Sequence, residues 1–256
     1  MRVPTPWAEP GQSVSLEMII YTPLSAGPYP TLVFHHGSTG SGDDPSLFAR
    51  TYESEDLASF FAERGWLVLF PQRRGRGRSD GLYDEGFTPD RSRYSCLAGP
   101  ALAGLDRALE DADVVTGLAL GMTEVDQERM LLGGISRGGI LATVHAHRRP
   151  AVYAGVINFV GGWLGEGCAD AVTVNRSTFE EAADQSSPVL WLYGENDPFY
   201  SVSHSRGNYD AFVAAGGSGA FRLYRRGDPA ASGHLILNEP ALWRADVDRL
   251  LSTVFQ

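Results

Sequence analysis

Short runs of apolar residues alternate along the chain with segments in which apolar positions recur every three or four residues. This alternation predicts strands joined by helices, and therefore a mostly parallel sheet in an α/β fold. The runs that predict strands are 31–35, 66–70, 130–132, 156–159, 189–193 and 221–224. An earlier run, Ser13–Tyr21, alternates apolar and polar positions more regularly, which favours an antiparallel strand at the edge of the sheet.

Helix signals fall between these runs. Ser54 is suited to cap a helix that ends at Gly65. Glu55 and Asp56 follow the cap, where carboxylates meet the positive end of the helix dipole. The other predicted helices have an apolar stripe over 105–119, an apolar face over 137–147, and a C-terminal segment that opens at Pro240.

The length and composition of the chain indicate the size of its core and the number of its domains. The chain has 256 residues, 43% of them hydrophobic, which is enough for a sizeable core and excludes disorder of the whole chain. Because no internal repeat and no linker interrupts the pattern, a single domain over 1–256 is expected. Two stretches, 81–104 and 161–187, lack clear periodicity. We expect them to lie over the strand ends, where function is usually carried, and the second to form a loop insertion or a small cap.

The formal net charge of −10 narrows the range of partners. It argues against general binding to nucleic acid, since affinity for a phosphate backbone comes from Lys and Arg. No apolar run is long enough to cross a bilayer, and residues 1–11 lack the apolar centre of a signal peptide. A cytoplasmic protein without a membrane partner is therefore expected, while the oligomeric state stays open.

Cys96 and Cys168 are the two cysteines of the chain. Two cysteines make neither a disulfide framework nor a metal cluster. Reduced thiols are therefore expected, as is usual for an intracellular protein, and a disulfide between the two is the alternative.

The sharpest motif is Gly-Ile-Ser-Arg-Gly at 134–138, a G-x-S-x-G centred on Ser136. A predicted strand comes before it and an amphipathic helix follows, so the motif has the context of a nucleophile elbow. The sharp turn needs small residues on both sides of the serine. It also places Ser136 at a helix N-terminus, where backbone N–H groups point toward an anion. A plain glycine-rich turn with an incidental serine is the alternative.

This arrangement resembles the α/β-hydrolase superfamily. From about residue 13 onward the chain is similar to dienelactone hydrolase-like esterases and to the catalytic domain of prolyl oligopeptidase-type enzymes. The resemblance implies a central sheet of about eight strands with helices on both faces, a Ser-His-Asp triad, and no cofactor or metal ion. Dienelactone hydrolases themselves carry a cysteine nucleophile where this chain has Ser136. That difference argues against dienelactone as the substrate and favours a serine esterase or peptidase.

The superfamily's chain order, nucleophile then acid then histidine, directs the choice of the other two groups. His234 lies in an Ala-Ser-Gly-His-Leu segment after the last predicted strand, and resembles the family's catalytic base. Asp197 follows the strand 189–193 in a Gly-Glu-Asn-Asp-Pro turn, where the family's acid lies, with Glu195 as the nearest alternative and residues 184 and 170 further away. The other histidines after the nucleophile are expected to be packing or surface residues: His145, His147 and His204.

A tetrahedral intermediate needs preorganised hydrogen-bond donors. One should be the backbone N–H of Arg137, and the other should come from the loop His-His-Gly-Ser-Thr-Gly at 35–40, which resembles the superfamily's His-Gly motif. Ser38 is the preferred donor there and Thr39 the second choice. His36 is expected to bond within the loop. Joint metal ligation by the adjacent histidines 35 and 36 is disfavoured, because neighbours on a strand face opposite ways.

A second turn, Gln72 to Ser79, carries four arginines. It lacks the spacing of a phosphate-binding loop and resembles the Asp-x-Arg-Gly-x-Gly-x-Ser turn of these hydrolases, with Gln72 in place of the acid. Such a turn should brace the site, with Arg74 paired to a carboxylate. Binding of an anionic substrate by one of the four (73, 74, 76 or 78) is the alternative.

Substrate specificity should come from the two irregular stretches. Phe87 and Tyr94 in the first, and Trp163 in the second, are candidates to line an acyl or alcohol pocket, or else to pack in the interior. A small or medium carboxylic ester fits best, because the second stretch is short for a lipase-type lid. A peptidase or amidase and a catalytically silent binding protein are the competing hypotheses.

Overall fold

The computed structural model describes residues 1–228 and 230–255. In chain order, the strands are β1 (Arg2–Ala8), β2 (Ser13–Tyr21), β3 (Tyr29–His35), β4 (Leu67–Pro71), β5 (Val125–Ile135), β6 (Gly155–Phe159), β7 (Val189–Gly194) and β8 (Gly219–Tyr224). The helices are α1 (Glu55–Ala62), α2 (Ala98–Gly121), α3 (Arg137–Arg148), α4 (Ala171–Glu181), α5 (Val202–Ala214) and α6 (Pro240–Val254), with short 3-10 helices at Pro45–Leu47 and Gly233–Asn238.

The strands form one eight-stranded sheet in the order β1-β2-β4-β3-β5-β6-β7-β8. β2 runs antiparallel to β1 and to β4, and all the other neighbours are parallel. The mostly parallel eight-stranded α/β sheet expected from the sequence is thereby confirmed. Its parallel strands end at one edge, so the loops that follow β3, β5 and β7 are brought together there.

Burial explains why the strands read as continuous apolar runs. Every residue of β4 and β6 is buried, as expected for parallel strands covered on both faces. Helices α1 and α6 contact one another and the sheet, while α2, α3, α4 and α5 form a second group in which each helix packs against the next. Ser54 caps α1 by accepting a hydrogen bond from the Leu57 amide, as predicted.

Three elements differ from the sequence prediction. Strand β1 was not among the predicted strands, although its prolines are compatible with an edge strand, which tolerates Pro at positions facing solvent. β2 consequently lies inside the sheet, and its expected edge position is wrong. The stretch 161–187 contains helix α4, which packs against α3 and α5.

The structure also corrects the prediction for the cysteines. Cys96 and Cys168 form a disulfide between residues 72 positions apart, with 4.9 Å between their Cα atoms. The bond joins the loop before α2 to the loop before α4. Expected as free thiols, the two cysteines instead tie together the two stretches without sequence periodicity.

Candidate active site

Ser136 lies in a sharp turn between β5 and α3. Its backbone has φ +56° and ψ −122°, a strained conformation for a residue with a side chain. The glycines beside it are required by close backbone approach. A Cβ on Gly134 would lie 2.2 Å from the Gly138 carbonyl oxygen, and one on Gly138 would lie 2.1 Å from the carbonyl oxygen of His35. The geometry is therefore that of a nucleophile elbow.

His234 and Asp197 form a hydrogen-bonded pair. The imidazole Nδ1 lies 2.8 Å from Asp197 Oδ2, and the Asp197 side chain is fully buried. The second carboxylate oxygen accepts the amides of Phe199 at 2.8 Å and Tyr200 at 3.2 Å. Since the carboxylate can only accept, Nδ1 donates to it, and Nε2 is left as the proton acceptor of the ring.

Close backbone contact brings the histidine to the acid. A Cβ on Gly233 would lie 2.1 Å from the Glu195 carbonyl oxygen, so the segment before His234 can pass the end of β7 only with glycine there. His234 belongs to the 3-10 helix Gly233–Asn238, although the sequence suggested a loop. Its ring lies against Phe199, with 4.7 Å between ring centroids.

The alternative acid is engaged elsewhere. The Glu195 carboxylate pairs with Arg225 at 2.7 Å and is partly exposed. Asp197 is thus the carboxylate that the structure places beside His234.

The other histidines after Ser136 also have separate partners. The buried His145 lies 3.1 Å from Asp113, His147 is close to the Asp184 carbonyl, and His204 contacts the Asn175 amide. Burial lowers the pKa of His145 and that of His204, so both are neutral packing residues.

A cavity of about 620 Å³ contains Ser136 and His234 in its wall. Of the residues predicted for the site, Ser38, Arg137, Tyr94 and Trp163 also line it. Phe87 does not: it is buried against Tyr94, with 4.8 Å between ring centroids, and supports the cavity wall from behind. The expectation that Phe87 lines the substrate pocket is therefore not met.

The cavity has walls that the sequence did not suggest. Phe199 and Tyr200 line it. Their position directly after Asp197 and Pro198 was the sequence feature from which a place near the site could have been predicted. Cys96 and Cys168 line it as well, so the disulfide is part of the rim. Among the described residues that line the cavity there is no carboxylate.

The proposed oxyanion donors lie on two sides of Ser136. Arg137 is the first residue of α3, and the first amides of a helix have no partner within it. Gly37 packs against the nucleophile, since a Cβ built on it would lie 3.1 Å from Ser136 Cβ and 3.7 Å from Oγ. Of the two candidates that follow, the Thr39 amide donates to the Tyr94 hydroxyl at 3.2 Å, which leaves Ser38 as the better choice.

The turn Gln72 to Ser79, with its four arginines, lies behind the site, and none of these arginines lines the cavity. Arg74 pairs with the buried Asp111 at 2.6 Å, as expected for a bracing residue. Burial raises the pKa of Asp111 to about 6, against the opposing effect of the Arg74 guanidinium. The Gln72 amide group exchanges hydrogen bonds with the Tyr52 backbone. The turn therefore has a structural part in the fold.

His36 has the role expected of it within the loop. Its Nδ1 lies 2.8 Å from the Gly37 carbonyl oxygen, and its Nε2 accepts the Arg73 amide at 3.2 Å. Within 1–228 and 230–255 no cluster of residues suited to hold a metal ion is found. Over the same residues, no helix is long and apolar enough to cross a membrane.

The chain matches a known protein family. The model of the dienelactone hydrolase family matches residues 17–227. A candidate carboxymethylenebutenolidase of Methylorubrum extorquens is 24% identical over 205 residues, which cover 79% of this chain and 63% of that protein. The chain thus spans under two thirds of the length of this curated relative.

Solved structures show the same fold. Est1E of Butyrivibrio proteoclasticus, solved with ferulic acid bound, superposes with a TM-score of 0.65 at 15% identity, covering 99% of this chain and 97% of that one. Acetyl xylan esterase 1 of Thermoanaerobacterium superposes with a TM-score of 0.61 at 16% identity, covering 100% and 88%. At such low identity the likeness concerns the fold alone.

Proposed function

Because the chain belongs to the dienelactone hydrolase family, we propose that it is a serine hydrolase that cleaves carboxylic esters of small to medium acyl or alcohol groups through an acyl-enzyme. One observation carries the proposal. A serine in a nucleophile elbow and a hydrogen-bonded His–Asp pair lie in the wall of the same cavity. The groups come from the ends of different strands, as is usual for active sites in this fold class.

Each residue of the proposed triad has a defined step. His234 Nε2 takes the proton of Ser136 Oγ as that oxygen attacks the carbonyl carbon, and then gives a proton to the leaving alcohol. Asp197 keeps the imidazole in the required tautomer and stabilises its charged form. Water then attacks the acyl-enzyme with the same histidine as base, which releases the acid and restores Ser136.

The developing oxyanion would be bound by the backbone amides of Arg137 and Ser38. Removing one such donor from an acyl-transfer enzyme costs about 10²–10³ in kcat, which shows how much of the rate depends on them. Amides of this kind are effective because they are fixed before the reaction and need no reorganisation as the charge develops.

The cavity supports the choice of substrate class. A cavity of about 620 Å³ lies in the range typical of small-molecule sites. Aromatic rings from Tyr94, Trp163 and Phe199 line it beside Ser136, so an apolar or aromatic substrate group can be buried there.

The test is labelling of the folded protein with a fluorophosphonate probe, together with turnover of p-nitrophenyl esters from acetate to octanoate. We expect one label, at Ser136, and no label or turnover in Ser136→Ala. Ser252→Ala is the matched control, because this exposed serine of α6 donates to the Asp248 carbonyl and lies outside the cavity wall. A folded wild-type protein that neither labels nor turns over esters would contradict the proposal, and amide cleavage at comparable efficiency would favour the peptidase.

The location of the protein is a separate prediction. The sequence suggests the cytoplasm, but the Cys96–Cys168 disulfide weighs toward an oxidising compartment, because cytosolic reductants keep most thiols reduced. Trapping free thiols during extraction from the native cells distinguishes the two: two alkylated cysteines support the cytoplasm, and none supports an oxidising environment.

A further inference from the structure

Three buried charged residues meet at one wall of the cavity: Arg137 lines it, and Arg73 and Glu85 lie behind. Arg73, Glu85 and Arg137 are 3%, 2% and 4% exposed. Glu85 Oε1 lies 2.6 Å from Arg73 Nε and also 2.6 Å from its Nη2, while Glu85 Oε2 lies 3.3 Å from Arg137 Nη1. Burying charged groups costs free energy even when they are paired, so the cluster adds little to stability by itself. Its hydrogen bonds to the surrounding backbone show what it holds in place.

The Arg73 guanidinium holds the loop that follows β3. Its Nη1 donates to the His36 carbonyl at 2.9 Å, and its Nη2 donates to the Gly37 carbonyl at 3.4 Å. The Gly37 carbonyl also accepts a hydrogen bond from His36 Nδ1 at 2.8 Å. Two donors on the interior side therefore fix the direction of this one carbonyl.

That carbonyl belongs to the same peptide unit as the Ser38 amide. In a planar trans peptide the C=O and the N–H point in opposite directions. With the Gly37 oxygen held toward the buried guanidinium, the Ser38 N–H points away from it, on the side where Ser38 and Ser136 line the cavity. Rotating the peptide would leave buried donors of Arg73 and His36 without an acceptor, which is unfavourable.

Arg137 is held by the same cluster. Its guanidinium lies between two aromatic rings, 3.9 Å from the Tyr94 centroid and 4.8 Å from that of Trp163. It donates to the Glu85 carbonyl at 2.8 Å and to the Trp163 carbonyl at 3.0 Å. Glu85 thus connects the loop of one proposed oxyanion donor, Ser38, to the residue that supplies the other.

We propose that Arg73 and Glu85 are positioning residues of the oxyanion hole, which hold the Gly37–Ser38 peptide with its N–H toward the tetrahedral intermediate and join it to Arg137. This inference rests on the proposed esterase function. Two guanidinium groups face one carboxylate, so the cluster carries a net positive charge. A hydrogen bond to the Gly37 oxygen also polarises the peptide, which strengthens the Ser38 N–H as a donor. Both effects favour the negatively charged oxygen over the neutral substrate.

The experiment compares Arg73→Lys and Glu85→Gln with wild type on p-nitrophenyl acetate. Lysine at position 73 keeps the positive charge but lacks the planar guanidinium that donates to one carboxylate and two carbonyls at once. Glutamine at position 85 keeps the shape of the side chain but loses its negative charge. We expect kcat to fall by about 10–100-fold, with KM changed less than about 3-fold. Misaligning an oxyanion donor should lower kcat by less than the ~10²–10³-fold loss that follows its complete removal. Affinity for a boronic acid analogue of the tetrahedral state should fall by the same factor as kcat/KM.

Arg74→Lys is the matched control, because Arg74 is an equally buried arginine of the same turn that pairs with Asp111. Over the described residues its hydrogen bonds and ion pairs go to residues outside the 35–40 loop. Thermal unfolding and active-site titration with the fluorophosphonate show that each variant is folded. Glu85→Gln keeps the test available if Arg73→Lys does not fold.

The outcomes separate the two proposals. Folded Arg73→Lys and Glu85→Gln enzymes that keep kcat and analogue affinity within about 3-fold of wild type overturn the positioning role while leaving the esterase in place. An equal loss in Arg74→Lys overturns it too, because the effect would then be general to the turn. A wild-type protein without esterase activity instead overturns the proposed function.

Discussion

Removal of the disulfide between Cys96 and Cys168 is expected to lower the stability of the fold by a calculable amount. The bond closes a segment with a sequence separation of 72 residues. Loop-closure entropy for a crosslink of this span amounts to about 4 kcal/mol at 25 °C. Cys96 is exposed and Cys168 only half-buried, so truncating both to alanine removes little packing from the folded state. The double variant Cys96→Ala/Cys168→Ala should therefore lose about 4 kcal/mol of unfolding free energy, chiefly through its unfolded state.

The assay is equilibrium unfolding in guanidinium chloride, followed by the fluorescence of the five tryptophans. We expect a lower midpoint for the double variant and a steeper dependence on denaturant, because an unfolded chain without the crosslink is more expanded and exposes more surface. Wild-type protein unfolded in the presence of a reductant is the control, and should approach the double variant.

Two results would refute this reasoning. A double variant within about 1 kcal/mol of the oxidised wild type would show that the crosslink does not restrict the unfolded chain as the entropy model requires. Titration of two free thiols in the denatured, unreduced protein would show that Cys96 and Cys168 are not paired at all.

Three further changes have defined outcomes. Asp197→Asn should lower kcat for ester hydrolysis by up to ~10⁴, because it favours the wrong tautomer of His234, whereas Glu195→Gln should keep activity near wild type. Gly138→Ala should cost about 3 kcal/mol in a denaturant titration, because its Cβ would lie 2.1 Å from a backbone oxygen that cannot move away. The hydrogen bond from His145 is the first of several effects that lower the pKa of Asp113 to about 2. Its folded-state pKa is thus below the usual 3.8, so its stabilisation is present above pH 4, is lost as the pH falls toward 2, and is removed by Asp113→Asn.

Each outcome has a clear opposite. Near-normal turnover by Asp197→Asn would make Glu195 the better acid. A Gly138→Ala protein as stable as wild type would mean that the elbow is not closely packed against β3. If Asp113→Asn follows the same acid-unfolding curve as wild type, the Asp113 carboxylate is not stabilised by its partners in the folded protein.

The sequence by itself determined the features that depend on neighbouring residues. The parallel strands, the cap at Ser54, the elbow around Ser136 and the turn that carries Asp197 were expected where the structure has them. His234 was expected between the last strand and the C-terminal helix, where the structure has it in a 3-10 helix. Each signal is local: an apolar run, a capping side chain, or a glycine where the backbone must turn sharply. The catalytic roles of these residues stay predictions until they are measured.

Helices α4 and α5 were missed because they carry weak hydrophobic periodicity. The buried positions of α4 include Asn175 and Thr178, whose polar side chains interrupt an apolar stripe. Asn175 is buried because it accepts the amides of Trp163 and Leu164, partners that precede the helix in a different segment. A pattern based on hydrophobicity does not register a buried side chain that is stabilised by hydrogen bonds.

Tertiary structure alone decided the remaining features. The disulfide joins Cys96 to Cys168, 72 positions later, and Arg73 donates to the carbonyls of His36 and Gly37, which lie 37 and 36 positions before it. Phe87 packs behind Tyr94 instead of lining the cavity. Such contacts depend on how the loops at the strand ends pack against one another, and no local periodicity encodes that. The chemistry of the site could be expected from short motifs, whereas the groups that shape and align it depend on the folded arrangement.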